Sequence, residues 1–195
     1  MAREIINERL MYPSYEIIGG EKILAPAANL DHSGIIARIY FCFANYFMEH
    51  KNGYVYSDNV NVRFSDADMF IPDLSVVLKA NEKILAGRKK ILGAPDMVVE
   101  VLSRSTRKND LTVKKDTYEA NGVREYWIVD PYMKVVSVYL LRDGKYFLDD
   151  EYILFDENDL DLMTDEEKAD IKSEIPVSIC EGLTVPLEFV FSWGY

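Results

Sequence analysis

The stretch that decides the fold is residues 94–130, which read APDMVVEVLSRSTRKNDLTVKKDTYEANGVREYWIVD. Its first part, Met97 to Leu102, is mostly apolar and predicts a buried strand. Its middle part, Arg107 to Asn121, predicts a helix, because Gly122 stands where a C-terminal helix glycine is expected. Its last part, EYWIVD, is apolar again. The stretch therefore predicts a strand, a helix and a second strand.

The sequence before this stretch adds elements of both types. YEIIGGEKIL, from Tyr15 to Leu24, has a glycine pair between apolar residues and predicts a hairpin. Apolar residues then recur at helical spacing, and they predict a long packed helix that is capped by Asp31 and stopped at Asn52-Gly53. Two strands are predicted next, from Val60 to Phe64 and from Ile71 to Leu78.

The C-terminal part combines strands with an acidic segment. VVSVYLL and YFL, joined by Arg142-Asp143-Gly144-Lys145, predict another hairpin. Residues 156–174 are rich in acid and lead into the apolar IPVSICEGLTVPLEFVF, so they predict an acidic surface insertion in one domain of residues 1–195. The expected fold is α/β, with a central mixed β-sheet flanked by helices and with additional antiparallel hairpins.

Composition and charge limit the classes of function. A chain of 195 residues with 49% apolar content fits one globular core. Cys42 and Cys180 are far apart and in no metal-type spacing, which argues against a disulfide framework or a zinc cluster and fits the cytoplasm. We find no export signal and no membrane span. The formal charge of −11 argues against a protein that coats DNA, although Arg104 to Lys115 is locally basic.

Two acidic residues stand inside apolar runs. Asp73 lies in FIPDLSVVL, and Glu100 lies in MVVEVL on the strand face that it shares with Val98 and Leu102. Burying a lone carboxylate is costly, so each needs a partner or a metal. Pairing with Arg or Lys is the alternative for each taken alone. Two such acids on neighbouring strands favour a hard cation such as magnesium, which needs convergent oxygens.

Asp96 is a competing carboxylate, closer to Glu100 in sequence. Four strand residues span about 13 Å, so Asp96 and Glu100 on one strand are too far apart to share an ion. Asp73 on an adjacent strand can come alongside Glu100. We therefore expect Asp96 to start the strand instead.

Several pieces of the chain together resemble a known family. They are YEIIGGEKI, a histidine at the start of the first helix (His32), IPDLSVV, the long run from Ala94 to Pro131, and EGLTVPLEFVF. They resemble the Uma-two family of restriction endonucleases, within the PD-(D/E)XK nuclease superfamily, and the resemblance covers most of the chain. It implies a restriction-endonuclease-like fold, metal-dependent endonuclease activity on DNA with magnesium or manganese, and a homodimer.

The resemblance also assigns site residues. It implies that Asp73 is the Asp of the PD half-motif and that Glu100, 27 positions later, is the second metal ligand. A strict (D/E)XK motif would place lysine at position 102, where Leu102 stands. In this family the lysine lies on the following helix, in the pattern Asp-x-x-x-Lys-x-x-x-Tyr-x-x-x-Gly, here Asp110, Lys114, Tyr118 and Gly122. Helical periodicity does not separate Lys114 from Lys115, and the resemblance selects Lys114 as the catalytic lysine.

His32 and Glu21 are secondary candidates for the site. His32 at a helix N-terminus can face an anionic substrate, and a capping or packing role is its alternative. Glu21 can reach the site as a further acid, and exposure to solvent is its alternative. Tyr118, Tyr126 and Trp127 would suit base stacking, but EYWIVD reads as a buried strand, so we predict that they are core residues.

Three functions follow from these observations. The first is an active phosphodiesterase on DNA, which all three motif residues favour. The second is a catalytically inactive nuclease fold used as a binding module, which Leu102 and the acidic charge permit. The third is an acidic assembly protein, in which residues 156–170 dock a basic partner. We rank them in this order, because function depends on site residues and not on fold alone.

Overall fold

A computed structural model describes residues 14–24, 29–57, 60–87 and 89–192. Its helices are Leu30–His50 (α1), Arg107–Leu111 (α2), Val113–Asn121 (α3), Glu157–Leu162 (α4), Asp165–Ala169 (α5) and Leu187–Phe191 (α6), with a 3-10 helix at Lys79–Ile84. Its strands are Tyr15–Ile18 (β1), Glu21–Leu24 (β2), Gly53–Ser57 (β3), Val62–Arg63 (β4), Met69–Phe70 (β5), Leu74–Leu78 (β6), Leu85–Ala86 (β7), Lys90–Leu92 (β8), Met97–Val101 (β9), Glu125–Asp130 (β10), Val135–Arg142 (β11), Lys145–Ile153 (β12), Glu174–Pro176 (β13) and Thr184–Pro186 (β14).

The central sheet has six strands in the order β12-β11-β10-β9-β6-β3. β9 and β10 are parallel and are connected through α2 and α3, whereas the other neighbours are antiparallel. A parallel pair needs such a crossover connection, and a helix usually supplies it. The strand, helix, strand order predicted for residues 94–130 and the mixed α/β fold are therefore confirmed.

The two faces of β9 serve different cores. Met97, Val99 and Val101 belong to the core beneath α1. Val98 and Leu102 belong to the opposite core, which includes Tyr118 of α3. Because side chains alternate along a strand, Glu100 lies on the α3 face, as the sequence predicted.

A second six-stranded sheet, in the order β2-β1-β5-β4-β8-β7, packs on the α3 side. The rings of Phe64 and Phe70 lie 5.7 and 5.5 Å from the ring of Tyr118. The predicted hairpin of β1 and β2 is confirmed, whereas β7 and β8 were not predicted. This sheet brings β1, with Glu16, to the face where Glu100 lies.

Several predicted boundaries are wrong. The predicted strand from Val60 to Phe64 holds only the two residues of β4. The predicted strand from Ile71 begins at Leu74, because Pro72 has no N–H for a sheet ladder. The predicted strand from Tyr146 to Leu148 is part of the longer β12.

The two helices on either side of β9 also differ in detail from the prediction. α1 is capped by Asn29, whose side chain accepts from the His32 N–H at 2.9 Å, and not by Asp31. It ends at Lys51, which adopts a positive φ of 54° just before Asn52-Gly53. The helix predicted from Arg107 to Asn121 is interrupted at Thr112, whose φ of −126° and ψ of −98° are not helical. Gly122 closes α3 with a φ of 86°, as predicted.

The acidic segment forms α4 and α5, which contain no buried residue. Capping boxes begin both helices, at Asp156 and Thr164. After this segment the chain returns to the core, where α6 meets α1 and the Arg38 guanidinium donates to the Val190 carbonyl at 3.0 Å. In the described part of the chain, no helix is both long and apolar enough to cross a membrane.

Candidate active site

Asp73 and Glu100 are brought side by side by the pairing of β6 with β9. Leu74 lies opposite Val99 and Ser75 opposite Val98, so the same register places Asp73 opposite Glu100. Residues directly opposite on antiparallel strands have Cβ atoms about 4.5–5.5 Å apart. Asp73 Oδ2 also accepts a hydrogen bond from the Val101 N–H at 2.7 Å, which fixes this carboxylate against β9.

Lys114 enters the site from α3. Its Nζ lies 2.9 Å from Glu16 Oε1, 3.1 Å from Glu100 Oε1 and 3.1 Å from Asp110 Oδ1, and its side chain is only 3% exposed. Lys115 turns away, with its Nζ 3.6 Å from the ring centroid of Tyr139. The structure thus separates two lysines that helical periodicity could not.

Tyr118 completes the contacts of Glu100. Its hydroxyl donates to Glu100 Oε1 at 2.7 Å, and both side chains are buried. Tyr126 is equally buried, and its hydroxyl donates to the Asp110 carbonyl at 2.9 Å. Tyr118, Tyr126 and Trp127 are fully buried. The prediction that they are core residues is confirmed, although Tyr118 also contacts a candidate catalytic carboxylate.

The electrostatics of this cluster favour a positive charge at Lys114. Burial lowers the pKa of Lys114, but Glu100, Asp110 and Glu16 together raise it well above its ordinary value. Burial raises the pKa of Glu100 well above its usual range, and Lys114 only partly opposes this. Burial likewise raises the pKa of Asp110. One ammonium therefore faces three carboxyl groups, and burial favours the protonated form of two of them, Glu100 and Asp110.

His32 and Asp73 form the more open edge of the site. His32 Nε2 lies 3.2 Å from Asp73 Oδ2, and the Asp73 side chain is 20% exposed. Burial lowers the pKa of His32, but the hydrogen bond and charge of Asp73 raise it above its ordinary value. The Nδ1 atom of His32 is buried and has no hydrogen-bond partner among the described residues. The side chain of His32 therefore contacts a candidate metal ligand, while its backbone takes part in the helix cap.

Glu21 is not brought to the site, because it is exposed at the start of β2. The hairpin instead supplies Glu16, which the sequence analysis missed. Glu16 Oε1 accepts from the Ile71 N–H at 2.8 Å and contacts Lys114. A signal was present, because Glu16 is an acid next to Ile17 and Ile18 in an apolar strand, the same criterion that selected Asp73 and Glu100. Asp110, in the family pattern but given no role, is the other missed carboxylate.

Asp96 has a structural role, at the residue before β9. Its Oδ2 accepts from the Leu78 N–H at 2.7 Å, and its Oδ1 accepts from Arg124 at 2.6 Å. Both oxygens are therefore occupied by donors of the same chain. This agrees with the expectation that Asp96 starts the strand and does not share an ion with Glu100.

One oxygen of Glu100 and one of Asp73 are not occupied by donors of the described residues. Lys114 and Tyr118 occupy Glu100 Oε1, and the Val101 N–H and His32 occupy Asp73 Oδ2. Glu100 Oε2 and Asp73 Oδ1 accept no hydrogen bond from the described residues. Within those residues no group of three or more His, Cys, Asp or Glu side chains could hold a metal. Magnesium is commonly held by one or two carboxylates while keeping several waters, so the two free oxygens suit it.

The chain matches the model of the Uma2 family, described as "Putative restriction endonuclease", over residues 8–162. Its structure is similar to a crystal structure described as "a putative nuclease belonging to DUF820" from Anabaena variabilis ATCC 29413. The TM-score is 0.70 and the identity 21%, with 96% of this chain and 97% of that chain covered. No curated protein matches the chain. The likeness confirms the nuclease fold, and the matched length shows that the chain belongs to the Uma2 family.

Proposed function

We propose that this protein is a divalent-metal-dependent endonuclease that hydrolyses phosphodiester bonds in DNA. The observation that carries the proposal is the position of Glu100, which lies opposite Asp73 and is held by Lys114 from another element. This combination leaves one oxygen of each carboxylate without a donor among the residues that the structure describes. Membership in the family and the nuclease-like fold support a nuclease function.

Each side chain has a distinct part in the proposed reaction. Asp73 and Glu100 would hold magnesium or manganese, and the bound ion would supply Lewis-acid polarisation of a phosphodiester oxygen and a water of lowered pKa. Lys114 and Tyr118 hold one oxygen of Glu100, and the Val101 N–H holds one oxygen of Asp73. Lys114 keeps its proton, so it is the cation that stabilises negative charge developing beside Glu100.

The proposal is tested by cleavage of single- and double-stranded DNA with magnesium or manganese. We expect metal-dependent cleavage by the native protein and none by Glu100→Gln. The matched control is Glu125→Gln, which changes a buried glutamate on the neighbouring strand and should keep activity. Absence of cleavage in the native protein, with no metal binding by calorimetry, would overturn the proposal.

A second candidate is an inactive nuclease fold that serves as a binding module. The contacts of Lys114 favour it, because an ammonium that is 3% exposed and touches three carboxylates resembles a structural counter-ion. This candidate predicts a folded protein that binds nucleic acid without metal dependence. The same cleavage and calorimetry experiments separate the two functions.

We also propose that the protein is a homodimer that pairs through the outer face of α1. Leu30, Phe41 and Met48 are all exposed, and at 100° per residue they lie within about 20° of one another, opposite the buried Ile39. The proposed interface has two antiparallel copies of α1 that cross at the level of Ile39, which would place Leu30 of one against Met48 of the other, because each lies nine positions from Ile39. In sedimentation, Phe41→Glu should shift the mass toward the monomer, whereas Phe147→Glu on β12 should not. An unchanged mass for Phe41→Glu would contradict this interface.

We further propose a cytoplasmic location. Cys42 and Cys180 are free thiols in the structure, as in proteins of reducing compartments. Cell fractionation tests this, and recovery outside the cytoplasmic fraction would contradict it.

A further inference from the structure

A cleft lies at the carboxyl ends of the parallel strands β9 and β10. Its volume is about 160 Å³, and it is lined by Leu102, Ser103, Arg104, Arg107 and Tyr132. Leu102 directly follows Val101, whose N–H is bound by Asp73. In open α/β sheets, ligands bind in the crevice outside the carboxyl ends of the strands. The cleft is therefore placed to hold a part of any ligand that reaches Asp73.

One buried carboxylate holds both walls of this cleft. Asp130 Oδ2 accepts from Arg107 at 2.5 Å. Asp130 Oδ1 accepts from the N–H groups of Tyr132 and Met133 at 3.0 and 3.1 Å. The arginine on one wall and the tyrosine loop on the other are thus positioned by the same side chain. Binding sites for small groups are usually pre-formed in this way.

The lining combines the two chemistries that bind a nucleotide. Tyr132 is 62% exposed, so a face of its ring is open to stacking. The Arg107 side chain is 52% exposed despite its contact with Asp130, and Arg104 is exposed at the rim. The planar, charged fork of arginine suits phosphate oxygens. These two arginines stand out on a chain whose net charge is −11.

We propose that this cleft holds the nucleotide next to the scissile phosphodiester, with its base against Tyr132 and its phosphate on Arg104 and Arg107. The inference rests on the proposed nuclease function and adds a substrate class. A base that stacks on Tyr132 must leave the stack of its own strand. The protein therefore prefers DNA with unpaired bases over a continuous duplex.

The test is fluorescence anisotropy with a short labelled single-stranded oligonucleotide, with calcium in place of magnesium to prevent hydrolysis. We expect Tyr132→Ala to weaken binding roughly tenfold and Tyr132→Phe to retain it, because the ring remains. Arg104→Gln should weaken binding and make it less dependent on salt. Phe147→Ala and Arg142→Gln, exposed changes on β12 and β11, are the matched controls and should bind like the native protein.

The outcomes separate this inference from the proposed function. If Glu100→Gln abolishes cleavage while Tyr132→Ala changes neither the affinity nor KM, the nuclease stands and the cleft proposal is overturned. If the native protein does not cleave DNA but Tyr132→Ala weakens binding, the cleft proposal stands and the nuclease does not. A native protein that does not bind the oligonucleotide, or that binds duplex more tightly, also overturns the cleft proposal.

Discussion

Glu100 and Glu125 are two buried glutamates on neighbouring parallel strands, yet their surroundings differ. Both oxygens of Glu125 are occupied. Its Oε1 accepts from the Trp127 indole at 2.7 Å, and its Oε2 accepts from the Ser178 hydroxyl at 2.6 Å and the Ile179 N–H at 3.2 Å. All these donors are neutral, and those of Ser178 and Ile179 join β10 to the C-terminal segment.

Within the described residues, Glu100 has donors at only one of its two carboxylate oxygens. Lys114 and Tyr118 both contact its Oε1, and no described residue donates to its Oε2. The comparison teaches that burial of an acid in a strand does not by itself identify a functional site. The number of oxygens left without a donor separates the carboxylate that holds the fold together from the one that can bind a ligand.

The largest effect is expected when the positive charge beside Glu100 is removed. Lys114→Met leaves Glu16, Glu100 and Asp110 without their counter-ion, and loss of one partner of a buried ion pair costs about 3–5 kcal/mol of unfolding free energy. The matched control Lys115→Met loses a contact with Tyr139 worth about 0.5–1 kcal/mol. Urea unfolding measures both.

The loss in Lys114→Met should also depend on pH. Burial already raises the pKa of Glu100 and Asp110 in the folded state, and removal of the ammonium raises it further. The folded variant then binds more protons than the unfolded chain, so its stability falls as pH rises through these pKa values. We expect Lys114→Met to lose less unfolding free energy, relative to the native protein, at about pH 5 than at about pH 8. A loss of unfolding free energy that is equal at the two pH values, or equal to the loss in Lys115→Met, would refute the counter-ion role of Lys114.

Exchange of each glutamate for glutamine tests the comparison directly. Glu125→Gln leaves one of its three donors without an acceptor and should cost about 1.5–3 kcal/mol of stability with cleavage retained. Glu100→Gln should cost less stability, because the amide oxygen still accepts from Tyr118 and a costly buried charge is lost. The cleavage rate of Glu100→Gln should fall more than about a hundredfold. This loss is larger than the one usually seen when a residue that only orients a metal ligand is changed. The reverse pattern would show that Glu125 is the functional acid.

Removal of single hydroxyls gives an intermediate effect. Tyr118→Phe removes a donor to Glu100 and should weaken magnesium binding about 10–100-fold, as for other groups that orient metal ligands. Tyr126→Phe removes a donor to a backbone carbonyl and should leave magnesium affinity unchanged. Each should cost about 1 kcal/mol of stability. Calorimetry compares the two, and equal magnesium affinities would mean that Tyr118 only supports the core.

The smallest effect is expected in the acidic segment. A variant with Asp161→Asn, Asp165→Asn and Glu166→Gln changes exposed side chains far from both glutamates in sequence. Its stability should stay within about 0.5 kcal/mol of the native protein, with the same cleavage rate. A change in the oligomeric mass of this variant in solution, or loss of binding to a basic partner, would indicate that the acidic segment serves assembly.

Much of the fold was predictable because its signals are local. The apolar runs of β9 and β10 and the glycine that ends α3 each occupy a few adjacent residues. The second sheet was predicted only in part, because β5, β7 and β8, which were missed, have only two or three residues, too few to show a period.

The candidate site was predictable in part. The resemblance pointed to Asp73, Glu100 and Lys114, and the structure places all three together, while their roles stay a prediction. The difference between Glu100 and Glu125 was not predictable, because Ser178 and Ile179 lie more than fifty positions beyond Glu125. For the same reason Glu16, the hairpin acid that contacts Lys114, was missed, and Glu21 was named as a secondary candidate instead. The contacts of Glu125 and the identity of the hairpin acid both depend on residues that are distant in sequence but close in space.

The contact between Lys114 and Glu16 spans 98 positions of the chain. Contacts so distant in sequence form late, since the entropy of closing a long loop must be offset before they add stability. During synthesis Glu16 exists long before Lys114, and Glu100 cannot be neutralised until α3 has docked. A truncated or partly degraded chain therefore lacks a complete centre. The activity proposed for this site is in this way reserved for the completely folded molecule.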